Sequence, residues 1–101
     1  MSAFFHSPEP NEDIRGIWRY LAEKSGVSVA NRIEADLFTA FETLARTPGT
    51  GHRRADLTSH PVFFFAVYQY MILYRKSVPL EGAAVIHGKR DVERILGKRP
   101  L

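Results

Sequence analysis

The chain has 101 residues, of which 45% are hydrophobic, and a formal net charge of +3 at pH 7. This length corresponds to a single domain, residues 1–101, with enough apolar residues for a modest core. Cysteine is absent, which excludes disulfides, thiol chemistry and cysteine–zinc sites and is typical of proteins from a reducing compartment. We identify no secretory signal and no apolar run that could span a bilayer, so we expect a cytoplasmic protein.

The positive charge is concentrated in the second half of the chain. Residues 1–51 contain 5 Lys and Arg against 7 Asp and Glu, whereas residues 52–101 contain 9 against 4. The basic half predicts an acidic partner, either a nucleic acid or an acidic protein.

The first half of the sequence predicts two amphipathic helices. Ala3–His6 is apolar and predicts an opening strand, and Ser7–Pro8 has the pattern of an N-cap followed by a first-turn proline. Apolar residues at helical spacing then predict a first helix that ends near Ser25–Gly26. Ser28 is the predicted N-cap of a second helix, which Pro48 stops. The short link predicts an antiparallel helix hairpin.

The second half predicts a small antiparallel sheet. A polar, basic loop over residues 52–57 comes first. Short connections then force antiparallel pairing between the strands that follow. The predicted strands, rich in aromatic and branched residues, are 61–66, 70–76 and 83–87.

A short helix and a basic tail close the chain. Gly88 ends the last strand, and the Asp91 carboxylate is the predicted N-cap of a helix over residues 91–96. The tail after Gly97 lacks the apolar periodicity needed to pack, so we expect it to be mobile.

The middle strand is apolar on both faces. Met71 and Leu73 share one face, and Ile72 and Tyr74 share the other. One face should pack on the helix hairpin. The other then stays apolar and open, which predicts a partner peptide or dimerisation.

The turn after the last strand gathers basic side chains. The strand delivers His87, Lys89 and Arg90 to one edge of the fold, and we expect Arg75 to reach the same edge. Cations at a strand-to-helix turn form an anion site. A solvated basic turn without a ligand is the alternative.

The sequence offers little support for other catalytic chemistry. Its four histidines are scattered without metal-ligand spacing, and no motif supports a Ser-His-Asp arrangement. We therefore predict neither a metal nor a cofactor.

Several segments, in order, resemble those of ParE-type toxins of the RelE/ParE superfamily. Each is weakly specific alone, but together they cover nearly the whole chain. The resemblance implies a type II toxin with an α+β fold: a short N-terminal strand and a helix hairpin on a small antiparallel sheet, with a short C-terminal helix. The segments are Ile17–Ala22, Ala40–Ala45 with Pro48 and Gly51, Arg54–Leu57, Ile72–Arg75 and Val85–Asp91.

The resemblance implies a ParD-like antitoxin and leaves two activities open. ParE-like members poison DNA gyrase, whereas RelE-like members cut messenger RNA on the ribosome. RelE-like enzymes carry an arginine where this chain has Met71, and many carry a tyrosine where it has Leu96. Neither Met71 nor Leu96 can transfer a proton or hold a phosphate. We therefore favour a plasmid-stabilisation type of gyrase inhibitor over an enzyme.

Three alternatives stay open at this point. One is an endoribonuclease that acts through Arg75, His87 and Arg90. Another is a nucleic-acid-binding module that uses the basic half, and a third is a toxin relic that keeps only antitoxin binding.

The expected assemblies are a homodimer or a toxin–antitoxin hetero-oligomer. The resemblance and the residue pattern together also assign two sets of residues. The expected target-binding residues are Arg75, His87, Lys89, Arg90, Arg94, Lys98 and Arg99. The expected antitoxin-binding residues are Trp18, Leu21, Phe41, Phe63, Phe65 and Met71.

Overall fold

A computed structural model of the chain describes residues 9–76, 80–88 and 92–99, and within them an α+β fold. Two helices precede a four-stranded antiparallel sheet of order β1-β2-β3-β4, and a short helix follows it. The predicted strand at Ala3–His6 and the predicted caps Ser7 and Asp91 lie outside the described residues. The elements are α1 (Glu9–Ser25), α2 (Val27–Arg46), a 3-10 turn (Pro48–Thr50), β1 (His52–Arg53), β2 (Phe63–Val67), β3 (Tyr70–Arg75), β4 (Glu81–His87) and α3 (Val92–Lys98).

The two long helices form the predicted hairpin, and a single residue joins them. Gly26 has a φ of +98°, a backbone conformation that side-chain-bearing residues rarely adopt. It also occupies the N-cap position of α2, which begins at Val27. The prediction of Ser28 as the N-cap is wrong, because the positive φ at Gly26 reverses the chain at once and leaves Ser28 within the first turn. Trp18 fastens the hairpin by donating its indole N–H to Asn31 Oδ1 at 2.9 Å.

The sheet contains one strand more than the sequence predicted. His52 and Arg53, which the sequence analysis assigned to a loop, pair with Phe64 and Phe63 as a two-residue edge strand. Two residues are too few to show a period-2 pattern, so this strand has no signature in the sequence.

A two-residue turn joins β2 to β3. Tyr68 lies in this turn with a φ of +59°, as tight hairpin turns require, and its hydroxyl donates to Asp36 Oδ2 on α2. The hairpin turn is therefore tied directly to the second helix.

The first core lies between the helix hairpin and one face of the sheet. Tyr70, Ile72 and Tyr74 of β3 pack there against apolar residues of both helices, which include Ile14 and Phe41. Tyr74 is fully buried, and its hydroxyl accepts from the Gly51 N–H at 3.0 Å and donates to the Pro48 carbonyl at 2.6 Å. The buried hydroxyl therefore has a partner both as acceptor and as donor.

A second core covers the other face of the sheet. Met71 and Leu73 pack there with Val92 and Leu96 of α3 and with Val62 from the loop before β2. The prediction that this face stays open for a partner is wrong. The short final helix presents its apolar residues one turn apart and so covers the face itself.

Candidate functional site

The antiparallel pairing of β3 and β4 separates two of the predicted target-binding residues. His87 lies opposite Tyr70, whereas Arg75 lies opposite Glu81 at the other end of the strand pair. Five residue steps of about 3.4 Å each place Arg75 about 17 Å from His87 along the strands. We expected Arg75 to reach the same edge of the fold as His87. That expectation is wrong, because the strand register fixes the two residues at opposite ends of the β3–β4 pair.

The remaining predicted target-binding residues divide by exposure. Arg94 and Lys98 lie on the exposed side of α3, and the His87 side chain is exposed where β4 ends. Lys89 and Arg90 lie outside the described residues. Gly88, with a φ of +81°, ends the strand as expected.

Arg99 forms part of the fold instead of a mobile tail. Its guanidinium donates to both carboxylate oxygens of Asp13 on α1, at 2.8 and 2.7 Å, and lies 3.9 Å from Glu9. The hydrogen bond to Asp13 raises the pKa of Arg99, so the residue stays charged. The prediction of a tail that does not pack is wrong at this residue, because a charged pair that is largely shielded from water holds the end of α3.

Asp13 also binds the outer edge of β4. Its Oδ2 accepts the Val85 N–H of β4 at 2.9 Å. A single carboxylate therefore links α1, the edge strand and the end of α3. No local sequence pattern indicates this contact, since Asp13 and Arg99 are 86 positions apart.

The predicted antitoxin-binding residues fall into buried and half-buried groups. Leu21 and Phe41 are buried in the first core, and Met71 is buried in the second. These three have at most 8% of their surface exposed, because the helices or α3 cover them. The half-buried residues, which retain some accessible surface, are Trp18, Phe63 and Phe65.

A cavity of about 420 Å³ opens beside the end of β4. We call it the Gly16 cavity. Helix α1 forms one wall, and the β2–β3 turn and the end of β4 form the others. The lining residues are Gly16, Ile17, Tyr20, Gln69, Tyr70 and His87.

Aromatic rings dominate the Gly16 cavity. The rings of Tyr70 and His87 lie 5.3 Å apart and are tilted by 51°. Tyr20, at 58% exposure, stands at the surface. Burial raises the pKa of Tyr70, and the nearby Tyr20 hydroxyl adds to the effect, so Tyr70 is neutral at physiological pH.

Sequence reasoning missed this cavity. Tyr20 and Gly16 are one helical turn apart and could have been assigned to a common face. Nothing in the sequence joins that face to His87, because the pairing of His87 with Tyr70 depends on the strand register.

A second, shallower groove of about 380 Å³ lies between α2 and β2. Thr39 and Thr43 of α2 face Phe65 of β2 across it, and the Tyr68–Asp36 hydrogen bond lies at one end. The half-buried Phe65 therefore contributes to a concave surface.

The described part of the chain contains no group of three or more histidine, aspartate or glutamate side chains that could hold a metal ion. In the same residues, no helix is long and apolar enough to cross a membrane. The accessible features are thus concave aromatic surfaces and exposed cations, which suit binding to another macromolecule.

Comparison with known proteins assigns a family. A family model described as "ParE toxin of type II toxin-antitoxin system, parDE" matches residues 6–92. No curated protein matches the chain significantly. The matched segment spans α1, α2 and the whole sheet, and it ends where α3 begins. The chain belongs to the ParE toxin family of type II toxin–antitoxin systems.

Proposed function

We propose that this chain is a cytoplasmic, gyrase-directed toxin that acts by binding and that a ParD-like antitoxin neutralises it. The family supports a toxin with an antitoxin partner. The choice of DNA gyrase over the ribosome rests on the chemistry of the sheet.

The packing of Met71 and Leu96 carries the proposal. RelE-like nucleases carry an arginine at the first of these positions, and many carry a tyrosine at the second. Here both residues pack in the same apolar cluster, with exposures of 8% and 7%. Cleavage of RNA requires proton transfer and cations around a phosphate, which a hydrocarbon cluster under α3 cannot supply.

The separation of the other basic residues supports the same choice. A nuclease needs its base, acid and cations within hydrogen-bond reach of one phosphate. Arg75 and His87, two members of the alternative catalytic set, lie about 17 Å apart along the strand pair. The endoribonuclease that would use Arg75, His87 and Arg90 is therefore the less favoured candidate.

A direct comparison of two reactions tests the proposal. We expect purified toxin to inhibit gyrase supercoiling and to trap cleaved DNA, and to leave messenger RNA intact in a translation reaction. Codon-specific cleavage of messenger RNA that is lost in His87→Ala would reverse the assignment to the ribosome-dependent branch.

The partner is tested separately. Co-expression with the adjacent open reading frame, followed by affinity purification, should recover a stable complex. Failure to recover one would count against neutralisation by a neighbouring antitoxin and leave the gyrase assay to be judged alone.

A further inference from the structure

We propose that the Gly16 cavity is the anchor site for one bulky side chain, most favourably aromatic, carried by an acidic segment of the antitoxin. This inference rests on the proposed function, because it requires a neutralising protein partner. It assigns a defined contact to a cavity that stands open among the described residues.

The size and lining of the cavity suit a single side chain. Its volume of about 420 Å³ lies toward the lower end of the range of binding pockets. Ile17 and the ring of Tyr70 provide apolar wall, while Tyr20 and His87 stand at exposed positions. Aromatic rings prefer tilted or offset ring partners, so a partner ring gains more here than an aliphatic group of equal area.

The edge of β4 explains why the occupant enters as one side chain and not as an added strand. The Val85 N–H turns away from β3 and is already bound by Asp13. Alternation along the strand turns the His87 N–H in the same direction, toward the side of α1. A partner carbonyl can therefore accept at His87, but Asp13 blocks further pairing along the edge at Val85.

Charge favours an acidic partner segment. The chain carries a formal charge of +3, and the half that contains the sheet and α3 accounts for the excess of cations. On α1, which forms one wall of the cavity, the exposed Arg15 and Arg19 stand among the exposed Glu12 and Glu23, so this helix is not itself a cationic surface. The attraction for a segment with acidic residues beside its anchor comes from the net positive charge of the chain.

Gly16 allows the cavity to be filled without disturbing the fold. A Cβ atom at Gly16 would meet no atom within 4 Å, and the same holds at Gly97 in α3. Both glycines are helical, and leucine is a better helix former than glycine. Gly16→Leu therefore plugs the cavity, and Gly97→Leu is a matched control elsewhere on the surface.

The first test measures affinity. The full-length product of the adjacent open reading frame is titrated by calorimetry into wild-type toxin and into both variants. We expect Gly16→Leu to raise the dissociation constant at least about tenfold, as loss of an interface anchor does, and Gly97→Leu to change it less than about twofold. Gly16→Phe, a bulkier plug, should weaken binding at least as much, and neither Gly16 variant should lower the melting temperature.

Two results are distinguished by this design. If wild-type toxin binds and both Gly16 variants bind equally well, the anchor is overturned while the toxin–antitoxin assignment stands. If wild-type toxin itself fails to bind, the proposed partner is wrong.

A second measurement needs no substitution. His87, His52 and His60 are all exposed in the free chain, so each should react with diethyl pyrocarbonate. In the complex we expect His87 to be protected, as read by mass spectrometry, while His60 remains reactive. Unchanged reactivity of His87 in the complex would overturn the anchor.

Discussion

At the scale of single residues, Asp13 has the widest influence on the fold. It accepts hydrogen bonds from the edge of β4 and from the guanidinium of Arg99, so that one carboxylate connects three elements. The side chains of Asp13 and Arg99 are only 16% and 15% exposed. Bidentate pairs with little solvent access are stronger than exposed ones, since water screens them less.

We expect Arg99→Met to lower the free energy of unfolding by about 1–3 kcal/mol, because it leaves a shielded carboxylate without its charged partner. Urea unfolding measures the change. Arg54→Met is the control, since Arg54 pairs with an exposed Asp56 only two positions away, and such pairs contribute little. Equal losses in the two variants would contradict a special role for the Asp13–Arg99 pair.

The buried Tyr74 hydroxyl makes stability sensitive to alkaline pH. Burial raises the pKa of Tyr74 above its ordinary value of 10.0, and the hydrogen bond from Gly51 offsets part of that rise. The unfolded chain therefore loses this proton first as the pH increases. The stabilisation is complete below about pH 10 and is lost as the pH rises through the folded pKa.

We expect the free energy of unfolding to fall as the pH is raised above about 10, and to fall less steeply in Tyr74→Phe. Urea unfolding at a series of pH values checks the slope. The variant should also be less stable at neutral pH by about 1–3 kcal/mol, because the Gly51 N–H and the Pro48 carbonyl lose their buried partner. Parallel pH curves for both proteins would show that Tyr74 is not the titrating group.

At the scale of elements, the three helices cover the two faces of the sheet. Helices α1 and α2 cover one face of the sheet, and the short α3 covers the other through Val92 and Leu96. A single residue, Gly26, connects α1 to α2 and reverses the direction of the chain. The geometry of the whole hairpin therefore depends on one backbone conformation.

We expect Gly26→Ala to destabilise the protein by about 1 kcal/mol or more, because a Cβ atom is strained at a φ of +98°. Gly16→Ala is the matched control: the same chemical change inside α1 should stabilise by about 0.5–1 kcal/mol. Thermal melts followed by circular dichroism measure both. A stabilised Gly26→Ala variant would contradict the role assigned to the turn.

At the scale of the whole molecule, charge and concave surface are distributed unevenly. Residues 52–101, the half of the chain that contains the sheet and α3, carry the excess of cations, while the Gly16 cavity opens where α1 meets the end of β4. Exposed charges act at a distance by steering association, and salt screens that effect. The basic end of α3 is thus suited to approach an acidic surface of the target.

We expect Lys98→Glu to weaken inhibition of gyrase several-fold, with a larger effect at about 50 mM salt than at about 200 mM, because screening is weaker at low salt. Lys24→Glu provides the control, since it makes the same charge change at an exposed position at the end of α1. Supercoiling assays at both salt concentrations measure the outcome. Equal effects of the two variants would show that inhibition depends on the net charge of the protein and not on the position of Lys98 on α3.

The sequence by itself determined the longer helices and strands and the family, but not the two-residue strand β1. Helical spacing predicted α1 and α2, and their ends at Ser25 and before Pro48 agree with the structure. Runs of aromatic and branched residues predicted β2, β3 and β4 to within two residues. Segments that occur in the same order as in ParE-type toxins indicated the family. These features depend on local periodicity and on stop signals, which a chain carries in adjacent residues.

Only the tertiary structure decided how distant residues meet. The register of β3 with β4 placed His87 beside Tyr70 and sent Arg75 to the far end. The return of α3 buried the apolar face that the sequence left open, and it brought Arg99 to Asp13. A strand register and a helix docking position are fixed by packing between elements that are remote in sequence, so no local pattern encodes them.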